Sequence, residues 1–512
     1  MSNIYHFLVH KLTVSDTFAK LKTSFYGIVR NVILQQLAKG VCARKFHIKE
    51  VIIMLEKWFK LSENKTTVKT EILAGITTFM TMAYILAVNP SMLGLVDGMS
   101  PEAVFLATAI ASAIGSFLMA IFANYPFALA PGMGLNAYFT YTVCMGMGVP
   151  FQTVLLAVFI EGLIFIVLSI TNVREAIFNA IPLTLKYAVS VGIGMFIAFI
   201  GLQGADIIVN SDATLITYQH FAPEDFHTAG ISAILALLGI IITAILAHAK
   251  VKGSILLGIL ITWVLGMVAE LTGLYVPNVD AGYFTVFPSF SLPDFTALGD
   301  TFGKCFTKEA FASVKILDFL VVMFAFLFVD MFDTLGTLIG VASKAEMLDE
   351  EGKLPKIKGA LLADAIATSV GAVLGTSTTT TYVESASGVT EGGRTGLTAI
   401  TTGIMFLLAI LLSPIFLAVP GFATAPALVI VGFYMMGSVV KIKFENYAEA
   451  IPAYLCIIAM PLAYSISEGI AIGVISYTVI NLFTGKENRK KITPLMYVLT
   501  LLFILKYAFC ST

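Results

Sequence analysis

Charged residues are scarce in this chain, and their scarcity excludes most classes of soluble protein. Of its 512 residues, 12% are Asp, Glu, Lys or Arg, and 58% are hydrophobic. Soluble domains are about a quarter charged, so this composition predicts a polytopic membrane protein. The net charge of −1 offers no basic surface to a nucleic acid, and we predict no nucleic-acid partner.

Metal ligands and catalytic sets are also missing. The five cysteines and six histidines are scattered along the chain, and none of them has the spacing of a metal site. No Ser/His/Asp set or other catalytic constellation accompanies them. We therefore predict no metal, no cofactor and no enzymatic activity. A membrane-embedded enzyme is the least favoured class of function.

Residues 1–66 differ from the rest because Lys and Arg are frequent there among short apolar patches. They contain no apolar stretch followed by a small-residue cleavage site, so a signal peptide is not predicted. Two interpretations stay open. The segment is a basic cytoplasmic extension near lipid headgroups, or it results from an upstream start and the natural protein begins near Met54. We favour the second slightly, because the sequence from Met54 has the composition of an ordinary leader to a first span.

Apolar segments long enough to cross a bilayer recur along the remaining chain. A helix needs about 20 apolar residues to cross ~30 Å of hydrocarbon, and about fourteen such segments fall in two groups, at 70–274 and 316–485. Lys and Arg concentrate in alternate connections, with 275–315 as the exception, which predicts a cytoplasmic N-terminus. The further apolar stretch 494–511 is an interfacial helix or an extra span.

Two segments of similar sequence indicate an internal repeat. LATAIASAIGS at 106–116 and LADAIATSVGA at 362–372 are identical at six of eleven positions. Each is followed by a segment that makes a poor helix, around Asn136 in the first half and around Glu384 in the second. Seven predicted spans separate the two copies, so they enter the membrane from opposite faces. Matched broken spans in inverted repeats are typical of the midplane binding site of a secondary transporter.

Five carboxylates lie well inside the predicted spans, where each is costly and therefore a functional candidate. They are Glu161, Asp330, Asp333, Asp364 and Glu384. We predict structural roles for Glu161 and Asp364, while for Asp330 a bracing role and a ligand-binding role both stay open. Asp333 and Glu384 are the stronger ligand candidates because they lie at helix breaks.

Asn136, in the first broken span, adds an amide that offers both a donor and an acceptor. Two carboxylates and an amide, without a cluster of Lys or Arg, suit a neutral heterocycle with several ring N–H groups. An anionic substrate would fit badly. A buried carboxylate can take a proton near neutral pH, so we predict proton coupling, although the residue types do not exclude sodium coupling.

Four motifs carry a family resemblance. TEILAGITTFMTMAYILAVNP, APGMGLNAYF, FVDMFDTLGTLIG and TTTTYVESASGVTEGGRTGLTA resemble those of the adenine/guanine/hypoxanthine (azaguanine-type) permeases, a branch of the nucleobase–ascorbate transporter superfamily. The resemblance covers about residues 55–510. It implies an all-α polytopic membrane protein with about 14 transmembrane segments in two inverted seven-span repeats. It also implies short antiparallel strands in the broken third and tenth spans.

The resemblance further implies two parts that move against each other. A core domain, 67–171 and 316–418, binds the substrate, and a gate domain comprises 182–274 and 422–485. Residues 486–512 form a C-terminal segment.

The resemblance implies the substrate site residue by residue. Its carboxylates come from the D-x-x-G motif of span eight and the Y-x-E motif of span ten, its amide comes from span three, and an aromatic side chain stacks on the base. The predicted substrate-binding residues are Asp333, Glu384, Asn136, Phe139, Phe332 and Thr381. Glu384, and after it Asp333, is predicted to carry the proton.

The expected function is uptake of hypoxanthine, guanine and adenine by proton symport with alternating access. The expected location is the plasma (inner) membrane, crossed many times, with the N-terminus in the cytoplasm. The expected partners are a purine base, protons and the lipid bilayer, and homodimers through gate domains occur in the superfamily. The rival is an anion exchanger or channel on the same architecture. Relatives of that fold that carry sulfate or chloride lack paired carboxylates at these positions.

Overall fold

The computed structural model describes most of the chain after residue 52. The described ranges are 53–171, 181–222, 225–278, 282–288, 292–312, 314, 316–344, 347 and 354–509. Residues 1–60 and 61–512 form separate units, and in the first of them residues 53–59 are helical. Of the predicted extension at 1–66, residues 53–66 are described and the rest lies outside the described residues.

Apolar helices make up most of the first half of the larger unit. In chain order they are α1 (Val68–Met82), α2 (Ile85–Leu93), α3 (Pro101–Phe122), α4 (Met133–Ala137), α5 (Phe151–Ile170), α6 (Leu183–Gly204), α7 (Ile231–His248) and α8 (Ser254–Leu271). A short strand, β1 (Leu129–Pro131), precedes α4, and a π-helical stretch over Tyr138–Gly146 follows it. Strands β2 (Ile208–Ser211) and β3 (Leu215–Tyr218) pair as a hairpin between α6 and α7.

The second half has a similar order of elements. Its helices are α9 (Lys308–Ala312), α10 (Ile316–Lys344), α11 (Ile357–Leu374), α12 (Ser385–Thr390), α13 (Gly396–Ala409), α14 (Ser413–Leu417), α15 (Gly421–Met436), α16 (Tyr447–Leu462), α17 (Ile466–Phe483), α18 (Lys486–Lys490) and α19 (Pro494–Phe509). Strand β4 (Thr379–Thr381) lies between α11 and α12. The two halves thus each contain a strand followed by a short helix, directly after the helix that carries the repeated sequence.

The protein is a mostly helical, multi-pass membrane protein. Among the described residues, ten helical segments are long and apolar enough to cross a membrane. Side chains such as Ile245, Val264 and Leu411 are exposed on their surfaces, as expected for helices that face lipid. Of the other helices, α10 has 29 residues and is long enough for a span. The helices α4 and α12 have only five and six residues, and α16 and α19 have 16 each, slightly fewer than the usual span of about 20. The number of about fourteen spans stays a prediction.

The helices pack in two groups, each mainly within itself. The first group contains α1, α3, α5, α10, α11 and α13, and the second contains α6, α7, α8, α15, α16 and α17. In the second group, glycine allows α6 and α15 to approach closely. A Cβ added at Gly194 would lie 2.6 Å from the carbonyl oxygen of Gly432, so the two backbones touch where side chains are absent.

The C-terminal helix α19 lies antiparallel along α17. The Thr500 hydroxyl donates a hydrogen bond to the Thr478 hydroxyl at 2.7 Å, and the Tyr507 hydroxyl donates to the Glu468 carboxylate. The later residue of α19 thus contacts the earlier residue of α17, so the two helices run in opposite directions and form a hairpin.

Candidate functional site

The two broken segments meet in a two-stranded antiparallel sheet. Its register pairs Leu129 with Thr381, Ala130 with Thr380 and Pro131 with Thr379. At one end the Gly132 N–H donates to the Thr378 carbonyl at 3.0 Å, and at the other the Tyr382 N–H donates to the Ala128 carbonyl at 3.0 Å. The sheet is buried. The backbone N–H and C=O groups of the two non-helical segments are thus hydrogen-bonded to each other inside the protein, as a membrane interior requires.

Residues in the left-handed conformation follow the helices that precede the two strands. Asn124, with φ 55°, follows α3, and Gly375, with φ 99°, ends α11. Gly and Asn are the residues that adopt this conformation most readily at helix ends. Beyond these helix ends, Pro131 lacks the backbone N–H that would donate a helical hydrogen bond. The β-branched residues Thr379–Thr381 favour an extended strand.

Asp333 lies on α10 beside the first broken segment. A Cβ added at Gly132 would lie 3.5 Å from Asp333 Oδ2 and 2.8 Å from Thr380 Cγ2, so the absence of a side chain at Gly132 lets these groups approach. The Asp333 side chain is partly exposed, and no described residue donates a hydrogen bond to its carboxylate. The carboxylate is therefore partly exposed and keeps unused acceptor capacity with respect to the described residues.

Asn136 is fully buried on α4. Its backbone N–H donates to the Gly132 carbonyl at 2.8 Å, which closes the first turn after β1. The Ser377 hydroxyl donates to Oδ1 of Asn136, whereas Nδ2 has no partner among the described residues. The amide therefore has its acceptor engaged and its donor unused.

Glu384 lies at the N-terminus of α12, three positions after the end of β4. The Tyr84 hydroxyl donates to Glu384 Oε1 at 2.7 Å. Glu384 is partly exposed and lies close enough to Asp333 for their charges to interact. The structure thus brings Asp333, Asn136 and Glu384 to the same strand pair.

Two further carboxylates, Asp330 and Asp364, meet at the hydroxyl of Thr334. Thr334 Oγ1 lies 2.9 Å from Asp330 Oδ1 and 3.0 Å from Asp364 Oδ1, and 2.7 Å from the Thr380 hydroxyl. All four side chains are buried. A hydroxyl has one proton, so Thr334 donates to one of these acceptors at a time. The cluster joins α10, α11 and β4, as a bracing role for both carboxylates would require.

Glu161 reaches the same region from α5. The Thr378 hydroxyl donates to Glu161 Oε2 at 3.0 Å, and both groups are buried. Because Thr378 directly precedes β4 and accepts the Gly132 N–H, this contact fixes the start of the strand against α5. We predicted that Glu161 pairs with another polar group in a structural role, and the Thr378 hydroxyl is such a partner.

The remaining predicted residues have a weaker connection to the carboxylates. Phe139 is fully buried, with its ring centroid 6.4 Å from that of Phe326. Thr381 is buried, and since alternate strand residues point to opposite faces, it faces away from Thr380. The described contacts join neither residue to Asp333 or Glu384. The Phe332 side chain lies outside the described part of the chain.

Sequence reasoning missed the polar partners of the predicted residues. Tyr84 is 300 positions from Glu384, and nothing in the sequence around it indicates that contact. Ser377 had a usable signal, because it belongs to the hydroxyl-rich run TSTTTT that marked the second broken segment. Thr334 directly follows Asp333, but its contact with Asp364 depends on how α10 and α11 pack.

A cavity of about 340 Å³ lies elsewhere, near one end of α5 and α10, and its lining includes Pro150, Asp318 and Val322. Asp318 and Asp333 are 15 positions apart on α10, which is about 22 Å along a helix. This cavity is therefore separate from the strand pair.

Comparison with solved structures identifies the class of fold. The transmembrane domain of the cyanobacterial bicarbonate transporter BicA is similar with a TM-score of 0.52 and 15% identity, over 79% of this chain and 97% of that chain. The protein is therefore a multi-pass membrane protein with a fold like that of this inverted-repeat class. At such low identity the likeness concerns the fold alone.

Sequence comparison identifies the family. A model of the Permease family matches residues 69–502. A putative permease of Methanocaldococcus jannaschii is 48% identical over 90% of this chain and 100% of its own. The guanine/hypoxanthine permease PbuG of Bacillus subtilis is 44% identical over 89% of this chain and 100% of its own length. The adenine permease AdeP of Escherichia coli is 40% identical over 89% of this chain and 96% of its own length. The chain belongs to the Permease family, in the adenine/guanine/hypoxanthine branch of the nucleobase–ascorbate transporters, which confirms the resemblance.

Proposed function

We propose that this protein is a secondary active transporter that imports purine nucleobases, namely hypoxanthine, guanine and adenine, across the plasma membrane together with protons. The proposal depends most on one observation, the convergence of Asp333, Glu384 and Asn136 on the paired strands β1 and β4. The relatives named as adenine permease and guanine/hypoxanthine permease support the purine class.

The site has the hydrogen-bonding groups that a neutral base needs. Asp333 and Glu384 accept N–H groups of the ring in charge-assisted bonds, which are about twice as strong as neutral ones. The unused Nδ2 of Asn136 donates to a ring nitrogen or carbonyl of the base. We assign Phe139 or Phe332 to stacking on the base and Thr381 to the wall of the site.

An anion exchanger or channel on the same fold is the rival, and the residues at the site do not favour it. The likeness to a bicarbonate transporter concerns the fold alone. Two carboxylates repel an anion, and no described ion pair supplies Asp333 or Glu384 with a Lys or Arg that would neutralise them.

In the architecture that we propose, about fourteen spans form two inverted repeats of seven. The first repeat comprises α1 with α2, α3, the β1–α4 segment, α5, α6, α7 and α8. The second comprises α10, α11, the β4–α12 segment, α13 with α14, α15, α16 and α17. The pairing of β1 with β4 supports this assignment, because the two strands then come from the third span of each repeat.

Alternating access then consists of movement of a core domain, 67–171 and 316–418, against a gate domain, 182–274 and 422–485. The two groups of helices support this division. Specific contacts join them. A Cβ added at Gly134 would lie 2.8 Å from Ile193 Cγ2, the Thr142 hydroxyl donates to the Tyr464 carbonyl at 3.1 Å, and Lys252 forms an ion pair with Glu391.

Uptake of labelled hypoxanthine, guanine and adenine by cells without other purine carriers tests the function. We expect saturable uptake of at least one base, collapse of accumulation when the proton gradient is dissipated, and no effect of replacing external sodium. Uptake by Glu384→Gln should be slower and should no longer respond to the pH gradient. Failure to transport any purine, or undiminished gradient-dependent uptake by Glu384→Gln, contradicts the function or the coupling role respectively.

The hairpin of α17 and α19 gives a topological prediction. On α19 the buried side chains Met496, Leu499 and Phe503 lie on one stripe, while exposed Val498 and Leu501 are apolar, so the outer face of this helix suits lipid. We expect α19 to cross the membrane again.

Reporter fusions measure this topology. Alkaline phosphatase should be inactive when fused after Gly485 and active when fused after Phe509, and a green fluorescent protein should give the opposite pattern. An inactive phosphatase at both positions means that α19 lies at the cytoplasmic surface, whereas reversed signals at both mean that the N-terminus lies outside.

A further inference from the structure

Tyr84 is a buried polar residue for which the proposed transport cycle has no role. It lies at the junction between α1 and α2, its side chain is fully buried, and its hydroxyl donates to Glu384 Oε1 at 2.7 Å. One helical turn earlier, Thr81 Oγ1 lies 3.5 Å from the Glu384 carbonyl oxygen. Two residues of the same helical face thus contact Glu384, one at the carboxylate and the other at the backbone.

The two candidate carboxylates therefore differ in how they are held. Asp333 accepts no hydrogen bond from any described residue. Glu384 has one oxygen bonded to a phenol whose ring is immobilised by complete burial. A side chain with several rotatable bonds loses conformational freedom when it binds a ligand, and the Tyr84 contact removes part of that loss for Glu384 in advance.

We propose that Tyr84 is a positioning residue for substrate recognition: it fixes the orientation of the Glu384 carboxylate and leaves Oε2 to accept one N–H of the base. This inference rests on the proposed function. Tyr84 follows α1, and Glu384 begins α12, which packs against α1. Both residues lie in the proposed core, so the contact persists while the core moves against the gate. Glu384 then meets the base in one orientation on either side of the membrane.

Equilibrium binding of labelled hypoxanthine to the purified full-length protein tests this role. In Tyr84→Phe the ring stays and the hydroxyl is lost, and we expect binding up to about tenfold weaker, because the Glu384 side chain then has to be ordered when the base binds. The matched control is Tyr477→Phe. Tyr477 is equally buried but lies on α17 of the other helix group, and its replacement should leave affinity unchanged.

A panel of hypoxanthines methylated at individual ring nitrogens separates positioning from a general structural effect. One analogue should be insensitive to Glu384→Gln, because its methyl group replaces the N–H that contacts Glu384. The same analogue should also be insensitive to Tyr84→Phe. In the double variant Tyr84→Phe/Glu384→Gln, the two losses for hypoxanthine should be clearly less than additive.

The outcomes are distinguishable. If wild-type protein binds no purine, the proposed function fails. If it binds hypoxanthine and Tyr84→Phe binds equally well or more tightly, only the role of Tyr84 is overturned. A uniform loss across all analogues, together with a lower melting temperature, means that Tyr84 supports the fold and also overturns the proposal.

Discussion

Replacement of Asp333 by Asn is expected to reduce purine uptake by about a hundredfold or more while the protein stays folded. The isosteric amide keeps the shape of the side chain but removes the charge, and its NH₂ group would face the N–H groups of the base. Each charge-assisted hydrogen bond contributes about 1.5–3 kcal/mol, so the loss of two bonds accounts for an effect of this size. Initial uptake rates over a range of hypoxanthine concentrations measure it.

Asp318→Asn is the matched control for this prediction. Asp318 lies on the same helix, 15 positions before Asp333, about 22 Å away along the helix axis. The same chemical change there should leave both the rate and the apparent affinity near wild type. Asp333→Asn protein that retains more than about a tenth of wild-type uptake would show that Asp333 is not the main substrate carboxylate.

The candidate site could be located from the sequence because a charge inside an apolar span is costly and therefore conspicuous. Asp333 and Glu384 were recognised in this way, and the repeated sequence at 106–116 and 362–372 pointed to the two segments that form the strand pair. The hydrogen bonds around them could not be predicted. The bonds from Tyr84 to Glu384 and from Ser377 to Asn136 join residues 300 and 241 positions apart, and only the tertiary packing of the helices sets them.

The count of spans shows a second limit of sequence reasoning. Hydropathy treats the segments around Asn136 and Glu384 as apolar stretches that cross the membrane. In the structure the first is a strand, the five-residue α4 and a π-helical stretch, and the second is a strand and the six-residue α12. Helix length alone therefore misses them, and hydropathy alone does not reveal that they are broken. The number of spans counted, whether from helix length or from hydropathy, therefore depends on whether these broken segments are included.

A disulfide between the proposed core and the proposed gate is expected to stop transport. We choose Gly134→Cys/Ile193→Cys in a background without the native cysteines, because a Cβ at Gly134 would lie 2.8 Å from Ile193 Cγ2 and cysteine at position 193 removes that methyl group. Oxidation should reduce hypoxanthine uptake to less than about a tenth, since a cross-linked core cannot move against the gate. Reduction should restore it.

The control pair is Gly201→Cys/Leu428→Cys, which joins α6 to α15 within the second group. A Cβ at Gly201 would lie 2.8 Å from Leu428 Cβ, so the two pairs are similarly close. If the second group moves as a rigid gate, this cross-link leaves uptake unchanged. Full uptake by the oxidised Gly134/Ile193 pair, with cross-linking verified by mass spectrometry, means that the core does not move against α6. Loss of uptake in both pairs means instead that the gate itself must change shape during transport, because the control cross-link joins two helices within the gate.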